Sequence, residues 1–151
     1  MIDSVLACLD VVERRWPLIA EACTRMPRTL VHGDFVPKNV RVCSRDGRLQ
    51  LLVFDWETAG IAPPAADIAL LPGGDELLRK YFVVVRGVWP YLDWADVLQL
   101  RRIGHLFRLL HSVSWESRSF KHSWISRAMR RMDAYDRLLH ELIREDSQRY
   151  G

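Results

Sequence analysis

The sequence predicts a mostly helical α+β domain, in which one small β-hairpin carries a polar loop and five or six helices surround it. Three observations predict this class. Apolar residues recur at helical spacing over the first 25 residues and again from Asp75 onward. Asp46-Gly47 separates two β-prone runs, a strong hairpin signal. Between these regions Pro27 and the Gly60–Pro64 stretch break the pattern.

The elements follow in order. Val5, Leu6, Leu9, Val12 and Trp16 suit one face of a helix from Asp3 to Arg15, with Asp3 or Ser4 as its N-cap. Pro17 suits a first helical turn, so 17–25 reads as a second short helix or a continuation beyond a kink, and Pro27 ends it. Thr29-Leu30-Val31 is a short strand leading into His32-Gly33-Asp34. Residues 40–54 form the hairpin around Asp46-Gly47. Gly60–Pro64 is a loop, and Ala65–Leu71 a short helix before Pro72-Gly73-Gly74. Leu77, Leu78, Tyr81, Phe82 and Val85 mark the next helix. Asp93-x-x-Asp96 resembles an N-terminal capping signal for a longer one, carrying Val97, Leu100, Ile103, Leu106, Phe107 and Leu110. A last helix from about Ser123 carries Ile125, Met129, Met132, Tyr135, Leu138, Leu139 and Leu142. These apolar stripes are core.

Composition bounds the function classes. The chain has 151 residues, 49% hydrophobic and 27% charged, with a net charge of +3 and a mean hydropathy of −0.08. This is the profile of a single domain, 1–151, able to bury roughly 70% of its unfolded surface. Disorder is excluded by ordinary apolar content at low net charge. No stretch approaches the ~20 apolar residues of a membrane span, and the start shows no basic segment followed by an apolar one. Cys8, Cys23 and Cys43 are odd in number and widely spaced, with no CxxC pair, and read as small, reduced core residues of a cytoplasmic protein. Residues 1–97 hold 11 basic against 13 acidic residues, a net −2, and residues 98–151 hold 11 against 6, a net +5. The second group is spread around helical patterns and mixed with acids, which reads as solvated helix faces and disfavours a nucleic-acid partner.

Chemistry concentrates in His32-Gly33-Asp34-Phe35-Val36-Pro37-Lys38-Asn39 and in Phe54-Asp55-Trp56-Glu57. Asp34 and Asn39 precede the hairpin and Asp55 follows it, so the fold-back brings a carboxylate and an amide oxygen toward a second carboxylate. Oxygen ligands in small number suit magnesium, which keeps waters and phosphate oxygens in its shell. Asn39 and Asp55 would hold that ion against nucleotide phosphates, and Asp34 would accept the proton of an acceptor hydroxyl. Asp and Asn are also ordinary turn residues, and a lone histidine such as His32 is more often structural than catalytic. His105, His111, His122 and His140 show no metal-ligand pairing with cysteines or carboxylates. Trp89, Trp94, Trp115 and Trp124 are candidates to line an acceptor pocket.

The segment Leu30–Leu71 resembles the catalytic core of the aminoglycoside phosphotransferase family, which is similar to choline kinases and, more distantly, to protein kinases. The resemblance implies a protein-kinase-like C-terminal lobe, with the hairpin carrying the active-site loop. It implies Asp34 as the catalytic carboxylate, Asn39 and Asp55 as magnesium ligands, and His32 as structural support. Glu57 takes the acidic place after the metal Asp. Asp67, in Ala66-Asp67-Ile68-Ala69, takes the place of a carboxylate that braces the catalytic loop through backbone amides. Lys38 stands where glycine is often found, and either touches phosphate or is merely exposed. ATP or GTP would be the donor and a small-molecule hydroxyl the acceptor. The helical segment that would line the acceptor pocket is net basic, which favours a neutral or anionic acceptor. Family members carry a further small β-lobe with a phosphate-covering loop and a lysine. Neither precedes His32 here, so the N-terminal lobe is expected to be absent. The alternative reading is a non-catalytic remnant acting as a binding or homodimerisation module, through apolar surface left where that lobe would dock.

Overall fold

The computed structural model describes residues 1–71, 74–123 and 125–150, with side chains through 145. Among the described residues the chain is mostly helical, with two small antiparallel sheets. Its elements are α1 (Ile2–Arg25), β1 (Thr29–Val31), β2 (Val40–Arg45), β3 (Arg48–Val53), β4 (Gly60–Ala62), α2 (Ala65–Ala69), α3 (Gly74–Val88), α4 (Trp94–Ser117) and α5 (Ile125–Tyr150). Short 3-10 turns cover Pro37–Asn39, Trp56–Thr58 and Arg118–Lys121. Among the described residues no helix is long and apolar enough to cross a membrane.

The chain divides into two compact units, Met1–Glu21 with Leu106–Gly151, and Ala22–His105. In the first, α1 contributes Val5, Cys8 and Val12 to a core completed by Leu106 and Val113 of α4 and Met132 and Leu139 of α5. These positions keep the three- and four-residue spacing of one helix face. The buried Glu116 carboxylate accepts a hydrogen bond from Arg131, so its burial is compensated.

The second unit holds both sheets. β1 pairs with β4, Thr29 opposite Ala62 and Val31 opposite Gly60. β2 pairs with β3, Val40 opposite Val53 and Arg45 opposite Arg48. Asp46 and Gly47 both have positive φ, 52° and 74°, the backbone of a two-residue hairpin turn whose twist matches the strands. The start of α4 is closed by a reciprocal pair: Asp96 N–H donates to Asp93 Oδ1 at 2.8 Å and Asp93 N–H to Asp96 Oδ2 at 2.9 Å. Further along α4, Gly104 lets the helix lie against α2, since a Cβ there would stand 1.9 Å from the Ala65 carbonyl oxygen.

Of the two readings of Pro17, continuation holds, since it lies inside one α1 and starts no second helix. Two sequence expectations are corrected. Helical bonding begins with Val5 N–H to Met1 O at 2.9 Å, so Asp3 and Ser4 sit within the first turn instead of capping it. Gly60–Ala62, expected as loop, forms β4, because β1 offers it a ladder that its glycine and alanine content does not advertise. Pro72 and Gly73 lie outside the described residues.

Candidate active site

Two ladders fix the site. Pairing of Val31 with Gly60 and of Val40 with Val53 clamps both ends of two connecting segments, 32–39 and 54–59, which therefore run side by side. The Phe54 N–H donates to the Asn39 carbonyl at 2.9 Å, joining the segments at the mouth of the hairpin. Asp55 is the next residue. It takes the left-handed conformation (φ 64°, ψ 58°), which turns the chain out of β3 and into the 3-10 turn Trp56–Thr58.

Asp34 and Asn39 are tied directly. The Asn39 side-chain nitrogen donates to Asp34 Oδ2 at 3.0 Å and to the Asp34 carbonyl at 2.9 Å. Two acceptors can face only the NH₂ end of the amide, so its oxygen is turned away from Asp34. Asn39 is itself buried, at 5% exposure, because Pro37 opens the 3-10 turn and Val40 enters β2 directly. Lys38 Nζ stands 3.1 Å from Asp34 Oδ2. Its side chain is 69% exposed, so this pair is screened and contributes little to stability.

His32 and Asp67 shape the loop beneath Asp34. Asp67, at the centre of α2, accepts from His32 N–H at 2.7 Å and from Gly33 N–H at 2.8 Å, one bond to each carboxylate oxygen. Its charge, after burial, also helps push the Tyr81 phenol up to about 12. The His32 ring is 3% exposed. Its Nδ1 accepts from Asp34 N–H at 3.2 Å, which leaves Nε2–H to donate to the Phe54 carbonyl at 2.7 Å. The imidazole thus links the two segments and orients the backbone of Asp34.

One residue went unnoticed in the sequence: Thr58, whose Oγ1 donates to the His32 carbonyl at 2.9 Å. It lies in no motif, and the β1–β4 pairing brings it to the loop. Trp56, within the Phe54–Glu57 motif but given no role there, packs its ring against that of His32, tilted by 47° with centroids 4.7 Å apart. Glu57 is exposed in the same 3-10 turn, and among the described residues no hydrogen bond joins it to the cluster. Of the tryptophans considered for an acceptor pocket, Trp94 packs against Phe82 and under Arg79. Trp115 is exposed beneath Arg118, Trp89 is half-buried, and Trp124 lies outside the described residues.

A model of the phosphotransferase enzyme family matches residues 2–94. The match contains the whole cluster and the Leu30–Leu71 segment that resembles aminoglycoside phosphotransferases. No curated protein matches the chain.

Proposed function

Because the chain belongs to the phosphotransferase enzyme family, we propose that it is a protein-kinase-like C-terminal lobe of a cytoplasmic small-molecule kinase, which moves the terminal phosphate of ATP or GTP to a hydroxyl of a small acceptor. The observation that carries this reading is the Asn39–Asp34 tie at a hairpin mouth from which Asp55 emerges. A base and two oxygen donors on adjoining segments are the short list that phosphoryl transfer needs from its protein.

Asp34 is the group that takes the acceptor's proton and aims its oxygen. Its carboxylate is held by Asn39 and Lys38, and its backbone by the His32 ring. Asn39 and Asp55 would hold magnesium. The donor set fits, since both supply oxygen and the Asn39 amide turns its oxygen away from Asp34. When bound, the ion neutralises charge on the nucleotide phosphates. Asp67, His32 and Thr58 keep the loop in shape. The basic balance of residues 98–151 favours a neutral or anionic acceptor over a polycation.

The test is transfer of labelled terminal phosphate to a panel of hydroxyl acceptors, with magnesium-dependent nucleotide binding read by calorimetry. Asp34→Ala is expected to lower turnover by at least about 10²-fold while nucleotide binding persists, whereas Asn39→Ala loses the binding. Unchanged turnover in Asp34→Ala would overturn the assignment.

A second reading, self-association, is favoured by one observation. Val42, Leu49 and Leu51 share one face of the hairpin and are 65%, 82% and 56% exposed. Light scattering that returns a monomer at all concentrations removes it.

A further inference from the structure

Four side chains outside the phosphotransfer cluster meet between α1 and α5. Ser4 and Cys8 stand one turn apart on α1, and Asp136 and His140 one turn apart on α5. A spacing of four puts each pair on a single helix face. Ser4 Oγ donates to Asp136 Oδ1 at 2.8 Å and lies 2.8 Å from His140 Nε2. Asp136 Oδ1 and His140 Nε2 are 3.6 Å apart. Ligand atoms of Cys8, Asp136 and His140 all lie within 4.8 Å of one another.

We infer that Cys8 Sγ, a carboxylate oxygen of Asp136 and His140 Nε2 form a binding site for a divalent transition-metal ion of the zinc class, with water in the fourth position. One thiol sulfur, one imidazole nitrogen and one carboxylate oxygen are the mixed donors such an ion takes, whereas magnesium and calcium require oxygen alone. Tetrahedral zinc ligands stand roughly 3.3–3.6 Å apart, from the usual bond lengths. The Asp136–His140 separation already matches, and Cys8 closes on them by a small side-chain movement. Without the ion Ser4 Oγ bridges the same two atoms, donating to Asp136 Oδ1 and accepting from His140 Nε2–H. The ion displaces that hydrogen bond and takes Nε2 of the Nδ1–H tautomer. Entry is from the His140 side, since that side chain is 58% exposed while Cys8 is buried.

The cluster does not suit a cysteine nucleophile. Burial, and then the Asp136 charge, push the Cys8 thiol up, which keeps it protonated and inert. A bound dication reverses that balance and displaces the proton. The sequence shows the Asp136–His140 spacing on one helix but hides the cysteine, because Cys8 lies on α1 at the other end of the chain. The inference is independent of the phosphotransferase reading, which stands whether or not the metal binds.

Cobalt(II) titration of the full chain tests it. One equivalent is expected to bind with sulfur-to-cobalt charge-transfer absorption, and Cys8→Ser is expected to lose that absorption. Because Cys8 is buried, circular dichroism checks the fold of that variant, and His140→Ala, on an exposed side chain, tests the site separately. His140→Ala is expected to weaken binding at least about tenfold and to abolish the rise in Tm that zinc gives the parent chain. Absence of the charge-transfer band in the parent chain overturns the inference. So does an unchanged spectrum and affinity in both variants, which would move the binding to Cys23 or Cys43.

Discussion

The carbonyl oxygen of Thr58 lies 2.7 Å from the point that a Cβ on Gly33 would occupy, with Thr58 Oγ1 at 2.8 Å. Gly33 also has φ +82°, so both its conformation and its surroundings exclude a side chain. Gly47 provides the control, with φ +74° and nothing within 4 Å. Gly47→Ala is expected to cost about 1–2 kcal/mol for the left-handed backbone alone. Gly33→Ala is expected to cost at least about 1 kcal/mol more, for the displacement of a neighbouring backbone. Urea unfolding of the two variants makes the comparison, and equal costs would show that Thr58 yields freely.

Asp67 holds two consecutive amides, those of His32 and Gly33, with its two oxygens. Hydrogen bonds to a charged group are worth about 1.5–3 kcal/mol each, so Asp67→Ala is expected to destabilise the chain by about 3 kcal/mol or more. Asp67→Asn keeps one acceptor but sets an NH₂ group against the other amide, so it recovers little. A loss below about 1 kcal/mol in denaturant titration of Asp67→Ala would mean that water replaces the carboxylate.

These contacts separate what was legible in the sequence from what was not. The hairpin was legible because Asp46 and Gly47 both adopt the positive φ that their residue types tolerate. The reciprocal Asp93–Asp96 cap was legible for a similar reason, being written within four residues. The helices α3, α4 and α5 announced themselves by period. What failed depended on pairing at a distance. In Gly60–Ala62 only Ile61 favours a strand, and the segment becomes β4 because Thr29–Val31 lies beside it. Thr58 reaches His32 through that same pairing, and no local pattern marks it. Asp136 and His140 share a face of α5 by their spacing, but Cys8 joins them only after α1 and α5 have packed.

The His32 ring accepts at Nδ1 from Asp34 N–H and donates at Nε2 to the Phe54 carbonyl. Its nitrogens are therefore expected to show the Nε2–H tautomer in long-range proton–nitrogen NMR spectra. His32→Leu fills the space but leaves a part-buried carbonyl and amide without their partners, at about 1 kcal/mol each. The variant is expected to unfold earlier and to lose order at Asp34 first, read by hydrogen exchange of that amide. An Nδ1–H tautomer would break both bonds and refute the arrangement.

Asp55 carries a conformational cost that its proposed role explains. At φ 64° and ψ 58° a residue with a Cβ costs roughly 1 kcal/mol or more relative to glycine. Asp55→Gly removes that strain, and the extra freedom of glycine in the unfolded chain offsets part of the gain. The variant is therefore expected to match the parent in stability to within about 1 kcal/mol, while Asp55→Ala gains nothing because it keeps the strained backbone. If the carboxylate holds magnesium, both variants lose phosphotransfer by at least about 10²-fold, and they lose it alike whether or not the left-handed backbone keeps a Cβ. Turnover that survives in Asp55→Gly would assign the strain to shaping the turn into Trp56–Thr58, and would leave Asn39 without its proposed partner.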